Sequence, residues 1–201
     1  MGREKSTRPK RRRPRTKITR PTIAYTYGRK FKPSIQPVPA PLWYQNLRTY
    51  LGPYRWYKLR RAVINSRNLN CEVCGVAVTE SRKLMAHEVW AYSYRSGSGI
   101  ARVKRLALVC WFCHSCEHFA LTQKLVGLGV LTQRAIDETI DHFCRLNQVP
   151  RRQFDICYTL AMAEWEHLSG KQWVVDWGKF KPLIVARETG KPMLIAAGML
   201  G

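Results

Sequence analysis

Apolar residues recur at helical spacing in five stretches of the chain, and the stretch between the second and the third is rich in strand-forming residues. The predicted helices cover residues 42–51, 56–64, 113–125, 131–146 and 151–168. Gly52-Pro53 separates the first two, and Pro150 begins the last, which ends near Gly170. Residues 71–112 favour strands, with turns at Gly75 and at 97–99. This pattern predicts an α+β protein, in which Trp173 and Trp177 pack against the core.

The division of the chain into parts follows from charge and proline content. Residues 1–32 hold 13 Lys and Arg against one Glu, and residues 33–41 hold four prolines. Such a segment has little to bury, so 1–41 is predicted to be a disordered basic arm and linker. Residues 42–128 then form the core with its preceding helices, and residues 129–201 form a helical C-terminal extension.

The charge is also informative about partners. The 201 residues carry 35 Lys and Arg against 13 Asp and Glu, a formal net charge of +22. Residues 55–105 contribute 11 basic against three acidic residues, whereas 106–201 is nearly balanced. Nucleic acid is the usual partner of such an excess, and an acidic protein is the alternative. DNA is the expected partner, with RNA as a second possibility, and the sequence indicates no particular protein partner.

Two groups of basic residues are predicted to contact nucleic-acid phosphates. The arm residues are Arg8, Lys10, Arg11, Arg12, Arg13 and Arg15, and those of the core are Lys58, Arg60, Arg61, Arg102 and Lys104. A solubilising tail and a nuclear-localisation run are alternative interpretations of the arm.

The hydrophobic pattern also bears on location. No run reaches the ~18 consecutive apolar residues that a membrane span needs, and the N-terminus lacks the apolar core of a signal peptide. We therefore expect no membrane association and a cytoplasmic location, associated with a nucleoid or a phage. A nuclear or organellar location stays open.

Four of the seven cysteines form two C-x-x-C pairs, Cys71/Cys74 and Cys110/Cys113. Two such knuckles supply the four thiolates of a tetrahedral structural zinc site. Buried free thiols are the alternative. The remaining cysteines are predicted to be buried in the protein core; they are Cys116, Cys144 and Cys157. For Cys116, three residues after Cys113, a substitute metal ligand is the alternative.

Three of the five histidines lie close to these knuckles. His114 and His118 are four residues apart, so in a helix they share one face, as two ligands of a metal ion would. His87 lies in a predicted strand, where it could act as a general base towards a metal-held phosphate. The other polar groups of the C-terminal helices are predicted to be isolated or solvated; these are His142, Glu164, Glu166 and His167.

The order C-x-x-C, His87-Glu-Val-Trp, Leu108-Val-Cys-x-x-Cys-His-x-x-x-His resembles the HNH endonucleases of the ββα-metal type that carry a zinc knuckle. The resemblance covers roughly residues 54–180. It implies an HNH core stapled by the four-cysteine zinc site and a metal-dependent endonuclease or nickase that hydrolyses DNA phosphodiester bonds. By this resemblance His87 is the general base, and His114 and His118 hold a catalytic divalent ion, Mg²⁺ or another.

The sequence departs from the family pattern at two positions. Ala86 stands where the family has an Asp or His that ligates the ion, and Arg105 stands where it has a middle Asn. Arg105 could instead hold the phosphate. Two other functions therefore stay open. One is a catalytically impaired, zinc-stabilised nucleic-acid-binding protein, and the other is an RNA-binding component of a larger assembly.

Overall fold

The computed structural model describes residues 31–78 and 84–200, together with the backbone of two short strands, β1 (Tyr25–Thr26) and β2 (Arg29–Lys30), which pair antiparallel. Of the segment 1–41 that was predicted to be disordered, residues 1–24, 27 and 28 fall outside the described residues. The other helices and strands are α1 (Leu47–Asn65), β3 (Leu84–Arg95), β4 (Ser98–Cys110), α2 (Trp111–Glu117), α3 (Phe119–Gly127), α4 (Gln133–Asn147), α5 (Arg151–Ser169), β5 (Gln172–Asp176) and α6 (Lys181–Glu188). The protein is α+β, as the sequence predicts.

The first two predicted helices lie end to end in α1, and the chain kinks between them at Gly52-Pro53, the predicted point of separation. The first turn of α1 is capped by Asn46, whose side-chain oxygen accepts a hydrogen bond from Thr49 N at 2.9 Å. Gly52 lies inside it with φ of +74°, which is a conformation that glycine adopts without strain, and Pro53 follows. The predicted start at residue 42 is too early, because residues 40–42 form a separate 3₁₀ turn.

A three-stranded sheet with the order β3-β4-β5 lies at the centre of the fold. β3 and β4 form an antiparallel hairpin that runs from the pair Leu84 and Cys110 to the pair Arg95 and Ser98. β4 contains one extra residue, Lys104, opposite the Val89–Trp90 step, so the hairpin has a β-bulge there. β5 pairs parallel with the first five residues of β4, from Ser98 to Arg102. Neither β5 nor α6 was predicted from the hydrophobic pattern.

α1 and α2 pack on opposite faces of the hairpin because consecutive residues of a strand point to opposite sides. Leu59 and Val63 of α1 form a buried cluster with Ala86 and Leu106 of the hairpin, to which α6 also contributes. Glu88 faces the same side, and its Oε1 accepts a hydrogen bond from Leu47 N at 2.9 Å. His87, the preceding residue, faces α2.

The C-terminal helices form a second cluster around α2 and α3, and residues 31–41 pack onto it. Phe31 and Ile35 are buried there beside Phe143 and Phe154. The backbone N–H of Lys32 donates to Asn147 Oδ1 at 2.9 Å. Thus the proline-containing segment predicted as a linker is attached to the helical half of the molecule by apolar and polar contacts. Within residues 31–78 and 84–200, no helix has both the length and the apolar character needed to cross a membrane.

Candidate metal centre and nucleic-acid interface

Four cysteines form a cluster that can hold a metal ion. The Sγ atoms of Cys71, Cys74, Cys110 and Cys113 all lie within 4.8 Å of one another, and none of these residues is in a disulfide. Cys74 Sγ and Cys110 Sγ are 3.8 Å apart. A tetrahedral ion with zinc–sulfur bonds of about 2.3 Å separates its sulfurs by about 3.8 Å, so this distance matches zinc.

Local backbone hydrogen bonds shape the first knuckle. Cys71 N donates to Val76 O at 2.9 Å, and Gly75 N donates back to Cys71 O at 2.8 Å. Gly75 has φ of +75° and open space at its Cβ position, so the turn uses glycine for its backbone freedom. The second knuckle is the junction of β4 with α2, because Cys110 ends the strand and Cys113 lies in the first turn of the helix.

The knuckle loop is joined to β4 by one glutamate. Glu72 N donates to Leu108 O, and Leu108 N donates to Glu72 Oε1, both at 2.8 Å. The other carboxylate oxygen of Glu72 lies 2.6 Å from Arg105 Nη1. These bonds hold the two pairs of cysteines next to each other, although 35 residues separate the pairs in the sequence.

Hydrogen bonds among the thiols of the cluster shift their pKa values in opposite directions. Hydrogen bonds from the Cys110 and Cys113 thiols hold the pKa of Cys71 far below the usual thiol range. The hydrogen bond that Cys113 shares with Cys110 acts in the opposite direction and raises the pKa of Cys113. One thiolate is thus stabilised at the expense of its neighbours, and a bound cation would stabilise all four as thiolates.

His142 of α4 also contacts this cluster, contrary to the prediction that it is an isolated residue. Its Nε2 lies 3.2 Å from Cys113 Sγ, and its Nδ1 lies 2.9 Å from Arg145 Nη2. No local sequence signal could have identified this contact, because 29 residues separate His142 from Cys113 and only the packing of α4 on α2 joins them.

The three predicted histidines meet in a second cluster. One ring nitrogen from each of His87, His114 and His118 lies within 4.8 Å of the others, a set that could hold a metal ion. The rings of His114 and His118 are 4.7 Å apart, and that of His87 lies 5.0 Å from His118 and 5.4 Å from His114. His118 lies at the junction of α2 with α3, so the helix predicted over 113–125 is interrupted there, although His118 N still donates to His114 O at 2.9 Å. The two histidines that were predicted to share a helix face, His114 and His118, therefore meet the histidine of the predicted strand, His87.

Burial keeps these histidines neutral, which is the form that binds metal ions. It lowers the pKa of His87 to about 3, with smaller contributions from the charges of His114 and Arg105. Burial also lowers the pKa of His114 to about 4 and that of His118 well below its usual value.

Glu117 is a residue of this site that was not predicted from the sequence. Its Oε2 lies 3.1 Å from His87 Nε2, and both side chains are buried. Burial raises the pKa of Glu117 to about 7, and a hydrogen bond from the Gln36 side chain opposes the shift. The spacing of Glu117 is the signal that could have revealed it, since it lies three residues after His114 and so on the same helix face.

The predicted phosphate contacts of the core divide between the two faces of the hairpin. Arg102 pairs with Ala91 and Arg105 with Val89, which are strand positions on the same face as His87. Lys104, at the bulge, is exposed. Arg102 forms an ion pair with Asp176 at 2.6 Å.

The basic residues of α1 lie on the helix that packs against the other face. Lys58 and Arg61 are exposed and lie over the rings of Tyr54 and Tyr57, respectively. Arg60 donates a hydrogen bond to Leu84 O at 2.7 Å. The arm residues that were predicted to contact phosphates fall outside the described residues; they are Arg8, Lys10, Arg11, Arg12, Arg13 and Arg15.

The remaining cysteines agree with the prediction of burial. Cys116 and Cys157 are buried, and Cys144 is partly buried against the same cluster of helices. Cys116 Sγ donates a hydrogen bond to Thr139 O at 3.3 Å, which argues against Cys116 as a metal ligand.

No family model, curated protein or solved structure matches the chain.

Proposed function

We propose that this protein is a metal-dependent endonuclease of the HNH type that hydrolyses phosphodiester bonds in DNA. The observation that carries the proposal is the meeting of His87 with His114 and His118, on a hairpin and helix that a four-cysteine cluster joins. A divalent ion there would supply Lewis-acid stabilisation of charge on the scissile phosphate. The ion of the cysteine cluster is proposed to be structural zinc.

The donor set favours a transition-metal ion at the histidines. Imidazole nitrogen suits zinc, nickel, cobalt or copper, whereas Mg²⁺ prefers oxygen ligands. The three imidazoles are neutral at physiological pH, which supports ion binding. We therefore expect cleavage with Ni²⁺, Co²⁺ or Zn²⁺ to exceed cleavage with Mg²⁺.

The charged surface supports a path for the substrate. Arg102, Lys104 and Arg105 belong to the part of β4 that continues from the histidines, and Gln36, close to the end of the basic arm, contacts Glu117. A strand held by these residues would run past His87, with the arm adding phosphate contacts that do not depend on base sequence.

Two roles of His87 are consistent with this site. The family resemblance makes it the general base, and its distance from His114 and His118 also suits an ion ligand. If His87 is the general base, His87→Ala should stop cleavage and leave the ion affinity unchanged. If His87 is an ion ligand, the same substitution should lower both cleavage and ion affinity.

The test is incubation of supercoiled plasmid with the purified protein and each divalent ion in turn. We expect nicked or linear DNA from the wild type and none from His87→Ala or His118→Ala, with the zinc content of the cysteine cluster unchanged. His167→Ala, on the exposed face of α5, is the matched control and should cleave like the wild type. Cleavage by His118→Ala at the wild-type rate would contradict the proposal.

A separate test shows which face of the hairpin the substrate follows. The double variant Arg102→Gln/Lys104→Gln should weaken DNA binding and cleavage, because it removes two charges from the part of β4 that continues from the histidines. Lys58→Gln/Arg61→Gln removes the same charge from α1 and should affect cleavage much less. Equal losses would contradict the proposed path.

The burial of the histidines favours a second candidate function. His87 is only 4% exposed, which is typical of a structural ion site. The protein would then be a zinc-stabilised nucleic-acid-binding protein without nuclease activity. Salt-sensitive DNA or RNA binding, with no cleavage under any of these ions, would select this function over the first.

A further inference from the structure

The second half of α1 carries two exposed tyrosines, each accompanied by a cation. Tyr54 is 68% exposed and Tyr57 is 53% exposed. Lys58 Nζ lies 4.5 Å from the centre of the Tyr54 ring, and the guanidinium carbon of Arg61 lies 5.8 Å from that of the Tyr57 ring. These four residues occupy positions i, i+3, i+4 and i+7 of one helix, so they form a single surface, which we call the α1 face.

The charge of the α1 face is of one sign. Residues 5–71 of the sequence contain no Asp or Glu, so all the charged residues of α1 are basic. Within the part of the chain that the structure describes, the contacts of Lys58 and Arg61 are with the two tyrosines and not with carboxylates. Both cations are therefore available to an anionic ligand.

The combination of rings and cations favours a nucleic acid with unpaired bases. Phosphates need only the cations, whereas a base can stack on a tyrosine ring only if one of its own faces is uncovered. In a duplex, the neighbouring base pairs cover both faces. Protein sites for single strands combine a basic surface with exposed aromatic rings in this way.

We propose that the α1 face binds single-stranded DNA or RNA, with bases stacked on Tyr54 and Tyr57 and phosphates held by Lys58 and Arg61. This site goes beyond the proposed function, because α1 packs on the face of the hairpin opposite to the one that carries His87. Binding there does not require an ion at the histidines. It can therefore be measured whether or not the protein cleaves DNA.

The test is fluorescence anisotropy with labelled strands of about 12 nucleotides. It uses the full chain with zinc in its cysteine cluster and no other divalent ion. The probes are an oligothymidylate, an oligouridylate, an abasic strand of the same charge and a duplex. Tyr54→Ala/Tyr57→Ala should lower the affinity for a base-bearing single strand by about 10-fold or more. Its affinities for the abasic strand and the duplex should not change, because their phosphate contacts remain. The base-bearing strand with the larger loss shows whether DNA or RNA is the preferred ligand.

Three further variants separate stacking from charge and from misfolding. Tyr54→Phe/Tyr57→Phe keeps both rings and should bind like the wild type. Lys58→Gln/Arg61→Gln removes phosphate contacts and should weaken binding of the abasic strand as well. Tyr44→Ala removes an exposed ring outside the α1 face and should bind like the wild type.

Three results would overturn the proposal. One is wild-type affinity of Tyr54→Ala/Tyr57→Ala for both base-bearing strands, and another is an equal loss with the abasic strand. The third is tighter binding of the wild type to polyglutamate of the same charge than to either single strand, which would make the ligand an acidic protein. A wild type that binds single strands through this face and cleaves no DNA would refute the proposed nuclease function and leave this site in place.

Discussion

His142 donates a hydrogen bond to Cys113. Arg145 lies 2.9 Å from the Nδ1 atom of His142 and can only donate, so Nδ1 accepts and the ring proton is on Nε2, 3.2 Å from Cys113 Sγ. A side chain of the C-terminal helices would therefore stabilise Cys113 as a thiolate when the cysteine cluster binds an ion.

Removing this hydrogen bond should weaken metal binding by the cysteines. We expect His142→Phe to lower the zinc affinity about 10- to 100-fold, because a hydrogen bond to a metal ligand stabilises its charged form. The new ring can retain the stacking of His142 on Phe112, whose ring centroid is 5.4 Å away. Competition with a chromophoric chelator measures the affinity. His167→Phe is the control, and an unchanged affinity in His142→Phe would show that the bond has no influence on the site.

The cysteine cluster should be required for folding. Cys71 is almost fully buried and joins the knuckle loop to β4, so Cys71→Ser should abolish zinc binding and the cooperative thermal transition of the core. Circular dichroism and metal analysis, with about one tightly bound zinc expected per wild-type chain, measure both effects. Cys144→Ser, which alters a cysteine outside the cluster, should bind zinc normally. A Cys71→Ser protein that stays folded and keeps its zinc would refute the structural role.

Gly99 is required for the close approach of β5 to β4. A Cβ atom at this position would lie 2.6 Å from Trp173 Cζ3, so the indole would have to move. We expect Gly99→Ala to lower the free energy of unfolding by about 1–3 kcal/mol, measured by urea denaturation. Gly97→Ala is a matched control in the adjoining turn, because its Cβ would meet no atom within 4 Å. Equal stabilities of the two variants would argue against tight packing of Trp173.

Glu164 makes stability depend on pH. The sequence predicted a solvated side chain, but burial raises the pKa of Glu164 to about 7. A carboxyl whose pKa is higher in the folded state contributes stability at low pH, and this contribution is lost as the pH rises towards 7. Glu164→Gln should therefore melt like the wild type near pH ~4 and at a higher temperature near pH ~8.

Glu166→Gln is the control for this comparison, because it makes the same substitution at an exposed position of the same helix. Melting temperatures from differential scanning calorimetry between pH ~4 and pH ~8 would measure both variants. A constant difference between Glu164→Gln and the wild type across this range would show that Glu164 does not titrate differently on folding.

In the helical C-terminal extension, the local sequence pattern was sufficient to predict the two long helices but not the strand that follows them. α4 and α5 were predicted to within about two residues at each end, because apolar spacing, Pro150 and Gly170 all act within one helix. β5 was missed because it is short and follows a helix directly. Its strand conformation depends on pairing with β4, more than 70 residues earlier in the chain.

The amino-acid sequence by itself determined the α+β class, the two cysteine pairs and the shared face of His114 and His118, since each depends on spacing over a few residues. Tertiary structure alone decided the rest: that His87 lies against these histidines, that Glu117 accompanies it, and that His142 reaches Cys113. It also decided that Arg102 and Arg105, but not the helix carrying Lys58 and Arg61, share the face of His87. The physical reason is that strand register and helix packing set these contacts between distant residues, and burial then sets the protonation of the groups that meet.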